Sequence, residues 1–231
     1  MSQKINPKSL RLGNSLTWSI KVQSYGCNKY KYLNSFYKFN KNLYFLDNLD
    51  KQKRFVNYTE FWYNKSKINF KLYLKNNVSD INYYFLLNRL LSNIKYLFSN
   101  NIQVNIRIYS NFINFYSSKA LVNYGNYLFK KWNYTPKKIF SILVYLLTKQ
   151  LNSKKICYGK FGPLKLNLKG FKIILTGRFE ASKNQMSKEL KVNIGALPLT
   201  TLNNNIDFWT TKLYTKLGVC NLKIWLFYQI I

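Results

Sequence analysis

The side chains able to do chemistry in this chain are overwhelmingly cations. Lys and Arg number 37 against 7 Asp and Glu, a formal net charge of +30, and histidine is absent. Hydrolytic or phosphoryl-transfer chemistry needs a positioned base, an activated nucleophile, or carboxylates grouped around a divalent metal. The acidic residues are Asp47, Asp50, Glu60, Asp80, Glu180, Glu189 and Asp207, and only Asp47 and Asp50 form a close pair. Cys27, Cys157 and Cys220 are isolated, odd in number and without histidine nearby, so neither a disulfide framework nor a zinc site follows. No glycine-rich phosphate loop is present. The pattern therefore offers no catalytic residue, no metal ligand and no cofactor site. It offers phosphate neutralisation, because charge of this size opposes compaction unless a polyanion answers it.

Only Arg11, Arg54, Arg89, Arg107 and Arg178 are arginines. Lysine meets phosphate as a point charge, whereas arginine reads planar groups with two parallel bonds, so the balance favours backbone contacts over base reading. With 47% hydrophobic and 18% aromatic residues the chain is no disordered basic tail. Its 231 residues suffice for two modest domains or one large one. The crowding of Asn, Lys, Tyr, Ile and Phe reads as drift toward A/T-rich codons, common in organelle genomes. The start, MSQKINPKSLRLG, shows no secretory or organelle-import pattern, which favours synthesis inside the organelle. The apolar stretch Ile139 to Leu147 falls short of the roughly 20 residues that cross a bilayer and reads as a core helix.

The elements that must position these cations follow from periodicity. Residues 1–16 read as an extended basic arm carrying Lys4, Lys8 and Arg11 or as a frayed terminus, with Pro7 keeping Asn6 out of helix. Residues 17–65 carry little period; helical pieces are expected around Leu43 to Tyr58, and Tyr30, Tyr32, Phe36, Tyr37 and Phe39 stand among lysines where they either stack on bases or simply pack. Ile68, Phe70, Leu72 and Leu74 alternate with polar residues in a strand. Ser79 and Asp80 suit the start of a helix with Ile81, Tyr84, Leu87, Leu91, Ile94 and Phe98 inward. Ile102 to Ile108 alternate again in a second strand. Ser117 or Ser118 begins another helix, in which Gly125 costs about 1 kcal/mol relative to Ala. Thr135-Pro136 caps the clearest amphipathic helix, with Ile139, Ile142, Leu143, Leu146 and Leu147 on one face. Residues 164–168 are expected to form a strand that hairpins at Gly170 onto a strand at 171–176. Gly177-Arg178 turns into a basic helix bearing Lys183, Lys188 and Lys191, with Ser182 as its cap. Asp207 reads as a cap or lysine partner within an Ile206-Asp207-Phe208 turn, and Leu222, Ile224 and Leu226 close the chain in a strand.

Particular motifs recur within this frame. They are Thr176-Gly177-Arg178, Leu197-Pro198-Leu199-Thr200-Thr201-Leu202, Ile206-Asp207-Phe208, and Gly218 followed by Lys223-Ile224-Trp225-Leu226. The amino terminus has Gln3-Lys4-Ile5-Asn6-Pro7 and Leu10-Arg11-Leu12-Gly13. In type, order and spacing these resemble the universal ribosomal small-subunit protein S-three family, in an organelle-encoded mitochondrial version. The resemblance implies an α+β fold: a basic arm over residues 1–16, a degenerate type II KH-like domain over 17–112, and an α/β carboxy-terminal domain with a mixed or antiparallel sheet over 113–231. It implies a structural constituent of the small-subunit head in the mitochondrial matrix, without catalysis. Ribosomal RNA would be bound by Gln3, Lys4, Asn6, Lys8, Arg11, Arg178, Lys183, Lys188 and Lys191. Lys130, Lys131, Lys137 and Lys138 would face incoming messenger RNA; the Lys137-Lys138 pair stands where the family has two arginines, and Ser141 stands in place of a further cation. Neighbouring proteins would be S-ten and S-fourteen in the head, and S-five and S-four around the messenger entrance. One departure matters: no glycine lies between Lys67 and Ser110. The GxxG loop by which a KH domain clamps RNA is thus absent, and this segment is expected to pack against neighbours.

Other classes remain in view. An organelle intron maturase or endonuclease would share the basic charge but needs paired carboxylates. A membrane-surface protein would confine its lysines to one face of a long helix, whereas here they spread over strands, loops and helix ends.

Overall fold

The computed structural model describes residues 5–14, 16–22, 34, 55–64, 67–75, 81–98, 103–111, 117–159, 162–179 and 186–231. The fold is α+β, in two compact units: Ser19–Ile113, and Met1–Trp18 together with Asn114–Ile231. The amino-terminal segment, read from sequence as an extended basic arm, groups with the carboxy-terminal unit.

The first unit holds β1 (Ile20–Val22), β2 (Phe55–Tyr63), β3 (Lys67–Lys75), α1 (Ile81–Phe98) and β4 (Gln103–Asn111), with its strands in the order β1-β2-β3-β4. β2 and β3 are antiparallel; the β1–β2 and β3–β4 pairs are parallel. A parallel pair needs a crossover, and α1 supplies the one between β3 and β4. Alternation fixes the inner face: Ile68, Phe70 and Leu72 are fully buried with Phe61 and Tyr63 from β2, as is Ile94 of α1. Residues 55–58, expected within helical pieces, instead open β2, whose aromatic and β-branched run favours a pleated surface. The rest of that stretch, Ser79 and Asp80, and the aromatics between Tyr30 and Phe39 lie outside the described residues.

The second unit holds α2 (Ser118–Trp132), α3 (Pro136–Lys149), β5 (Lys154–Gly159), β6 (Gly162–Gly177), β7 (Lys188–Ile194), β8 (Asn205–Thr215) and β9 (Gly218–Ile230). Its sheet is antiparallel, ordered β5-β6-β9-β8 with β7 also on β6. Ser117 Oγ accepts from Ala120 N at 3.2 Å and caps α2; Thr135 does the same for α3 ahead of Pro136. Phe171, Ile173 and Leu175 of β6 and Cys220, Leu222, Ile224 and Leu226 of β9 are buried, with α2 against β8 and β9 and α3 against β6. Gly125 lies at the crossing: a Cβ there would stand 3.4 Å from both Ile139 and Leu222. The glycine lets α2 approach both closely despite its helix cost. No described helix is long and apolar enough to cross a membrane.

Two expectations about the sheet need correction. The chain does not hairpin at Gly170; β6 runs straight through it. The apolar phase slips by one between Leu168 and Phe171, and that slip is a bulge in the pairing with Tyr228 and Phe227 on β9. Gly170 is required there because a Cβ would run into the Ala196 carbonyl and lie 3.1 Å from that of Ile194. The hairpin onto β6 comes from β5, with Gly159 opposite Gly162. Nor do Lys188 and Lys191 sit on a helix. They belong to β7, where Leu190, Val192 and Ile194 alternate with Glu189, Lys191 and Asn193, period two rather than 3.6. Likewise Ile206-Asp207-Phe208 is strand β8, not a turn.

Candidate nucleic-acid interface

The amino-terminal segment is fixed by its own cation. Ser9–Arg11 form a short 3-10 turn, and Arg11 is fully buried. Its Nε donates to the Asn204 carbonyl at 2.9 Å, and one terminal nitrogen to Pro7 O at 2.8 Å. The other terminal nitrogen donates to Thr201 O at 2.7 Å and Leu199 O at 3.0 Å. Arg11 was expected on RNA; its planar fork instead clasps the loop before β8. Burial lowers its pKa, and the carbonyl dipoles hold the charge in place of a carboxylate.

Asp207 ties the same segment to α2. Its Oδ2 accepts from Ser118 N at 2.8 Å, at the positive end of that helix. Its Oδ1 lies 3.4 Å from Lys8 Nζ. Burial pushes the Asp207 pKa up, but Lys8, Lys155 and the Ser118 N–H outweigh it, and the net direction is down. Lys8 is thus engaged by protein. Asn6, also expected on RNA, is exposed, and its Oδ1 accepts from Lys8 N at 3.0 Å to close the turn. Gln3, Lys4 and Lys183 lie outside the described residues.

The lysines of the helix pair fall together. Lys130 and Lys131 end α2, Asn133 turns the chain in the left-handed region, and Lys137 and Lys138 open α3. All of them are exposed. Lys138 Nζ lies 4.1 Å from the Tyr134 ring centroid and Lys131 Nζ 5.5 Å from that of Tyr127. Beside them Trp132 is 53% exposed. Lys130 and Lys131 suit the negative end of α2, whereas Lys137 and Lys138 oppose the dipole of α3. An anion at this corner would relieve the second pair.

Arg178 follows β6, half-buried, with its Nε enclosed and no acceptor for it among the described residues. Lys188 and Lys191 are exposed on β7. Lys191 reaches the sheet face opposite the buried one, which sequence reasoning passed over. Pairing sets Lys191, Ile174, Lys223 and Thr210 in one row, and Asn193, Lys172, Trp225 and Phe208 in the next. Lys212 stands in a further row with Asn221, Thr176 and Glu189. Lys172 Nζ is 5.3 Å from the Trp225 ring centroid, and Phe208 packs on Trp225 at 4.9 Å. Partial desolvation lowers the Lys172 pKa, as does Lys191, against an opposing effect of Glu189. The signal lies in the polar half of each alternating strand, where these cations stand.

No protein-family model matches the chain. Individual proteins do. The chain is 35% identical to the small ribosomal subunit protein uS3m of Chondrus crispus, over 99% of this chain and 94% of that one. The chain belongs to the uS3 family. Shorter stretches are similar to uS3c of Emiliania huxleyi (38% identity, 27% of this chain, 28% of that one) and to uS3 of Borrelia duttonii (37%, 26% and 21%). Since the end-to-end likeness is to the mitochondrial form, this is a mitochondrial uS3. Membership makes it a ribosomal protein of the small subunit, and nothing in these likenesses favours the intron maturase or endonuclease. In this uS3 chain the contacts of Arg11 and Asp207 tie the amino-terminal segment to the loop before β8 and to the start of α2.

Proposed function

We propose that this chain is a structural, non-catalytic constituent of the small-subunit head of the mitochondrial ribosome. Its carboxy-terminal unit binds ribosomal RNA, and the helix corner faces messenger RNA. The observation that carries this reading is the segregation of charge: α2 and α3 lie on one face of the five-stranded sheet, while Lys172, Lys191, Lys212 and Lys223 surround Trp225 and Phe208 on the other. Such a face neutralises phosphates and offers rings for bases or riboses. Arg178, whose enclosed Nε has no acceptor among the described residues, suits a phosphate oxygen, and Lys188 adds charge at the same end. Gln3, Lys4, Asn6 and Lys183 extend the ribosomal RNA surface on the strength of the family resemblance. The four-stranded unit is read as the family's KH-like domain without its glycine loop. Ribosomal proteins of the head and of the messenger entrance complete the surroundings.

At the entrance, Lys130, Lys131, Lys137 and Lys138 stabilise separated strands while the translocating ribosome supplies the work. Replacing all of them with alanine should slow translation through a stable messenger hairpin and leave an unstructured message unaffected. An equal rate on both messages would remove the entrance role while leaving the ribosomal RNA reading intact.

A further inference from the structure

The four-stranded sheet carries a second aromatic face, and we propose that it is a platform for unpaired RNA. In it bases stack on Trp62 and on the Tyr73–Tyr109 pair while Lys21, Lys71 and Arg107 neutralise phosphates. The proposal rests on the reading of this chain as RNA-bound, but it concerns the unit that has no glycine clamp.

Strand pairing sets the face out in rows, opposite buried Ile68, Phe70 and Leu72. Lys21, Trp62, Asn69 and Asn105 stand side by side; then Glu60, Lys71 and Arg107; then Tyr73 and Tyr109. Trp62 is 55% exposed and Tyr109 is 40% exposed. The rings of Tyr73 and Tyr109 stack at 4.9 Å with 13° between their planes, and Lys21 Nζ lies 5.3 Å from the Trp62 centroid. Asn105 Nδ2 donates to Asn69 Oδ1 at 3.1 Å, which fixes amides beside the indole.

Charge decides the class of partner. Lys71 and Arg107 occupy directly opposed positions, where like charges repel. Glu60 answers Lys71 at 3.2 Å, and among the described side chains of this face Lys21, Lys67, Lys71 and Arg107 outnumber that one carboxylate. A phosphate beside Arg107 would take two parallel hydrogen bonds and end the repulsion. Flat exposed rings among such cations suit bases, each of which has a π-face to stack. Loss of the GxxG loop thus removes one way of gripping RNA and leaves the sheet face as another, in the manner by which other four-stranded sheets stack bases on aromatic residues.

The test uses the full chain and a short oligouridylate carrying a photoreactive uridine. Binding is followed by fluorescence anisotropy across a salt series, and cross-linked peptides are mapped by mass spectrometry. The parent chain should cross-link within β2, β3 or β4. The double variant Trp62→Ala/Tyr109→Ala should lose about tenfold in affinity with an unchanged salt slope, keep its circular dichroism spectrum, and lose those cross-links. Arg107→Ala should instead lower the slope by somewhat under one unit. Unchanged affinity, with cross-links confined to the carboxy-terminal unit, would overturn the platform and leave the ribosomal RNA reading standing. Cross-linking of the assembled subunit that finds another protein seated on Trp62 and Tyr109 would also overturn it. Failure of the parent chain to bind any RNA would sink both.

Discussion

Arg11 is the residue whose loss should do most to the carboxy-terminal unit. It is fully buried and its guanidinium makes bonds of 2.7 to 3.0 Å to the carbonyls of Pro7, Leu199, Thr201 and Asn204. Each hydrogen bond from a charged donor is worth about 1.5–3 kcal/mol. The bonds are not additive, because the loop from Pro198 to Asn204 is partly exposed and its carbonyls can rehydrate once released. Arg11→Ala should therefore cost about 3–5 kcal/mol, in the range seen when one member of a buried charged arrangement is removed. At roughly 2–4 °C per kcal/mol for a chain of this size, the melting temperature should fall by about 6–20 °C. Arg11→Lys should recover part of this, since an ammonium has three donors but no planar fork. The assay is thermal melting of the RNA-free chain, joined to limited chymotrypsin digestion. The loop contains Leu199 and Leu202, which should be cut early in the variant and late in the parent. If Arg11→Ala melts within about 2 °C of the parent, a shift worth less than 1 kcal/mol, and its loop stays protected, the clasp contributes nothing and the reasoning fails.

Further outcomes follow from the same unit. The Asp207 carboxyl has its folded-state pKa depressed. Its contribution to stability is thus complete above the ordinary carboxylate value of about 3.9 and is lost as pH falls through the lower folded value. Asp207→Asn should lower the urea midpoint at neutral pH and converge with the parent in acid; a gap of equal size at both pH values would show that the charge is irrelevant. Gly170→Ala places a methyl against the Ala196 carbonyl and should cost about 1–3 kcal/mol by overpacking. A parent-like midpoint for that variant would mean that the bulge opens freely.

Much of the architecture was legible because burial alternates or repeats cleanly. The helix from Pro136 announced itself through its cap, its proline and the spacing from Ile139 to Leu147. The strands around Ile68, Ile173 and Ile224 did so through period two. What was not legible depends on contacts remote in sequence. A one-residue phase slip at Gly170 has the same local signature whether the chain turns or bulges, and only pairing with β9, remote in sequence, decides for the bulge. The segment from Lys188 is lysine-rich, and charge masked the short alternation of Leu190, Val192 and Ile194. Arg11 and Lys8 looked like RNA contacts because nothing nearby in sequence competes for them; their partners lie at Asn204 and Asp207, close only in the fold. The cationic sheet face was hidden for a related reason. Lys172, Lys191 and Lys223 belong to three different strands, and strand pairing alone sets them beside Trp225.

The central claim is that this charge is carried by RNA on the face of the carboxy-terminal sheet opposite α2 and α3. A cryo-electron microscopy map of the native mitochondrial small subunit tests it most directly. It should show ribosomal RNA phosphates within hydrogen-bonding distance of Arg178, Lys191 and Lys223, with a base or ribose against Trp225. A map in which that face meets only protein or open solvent would contradict the account.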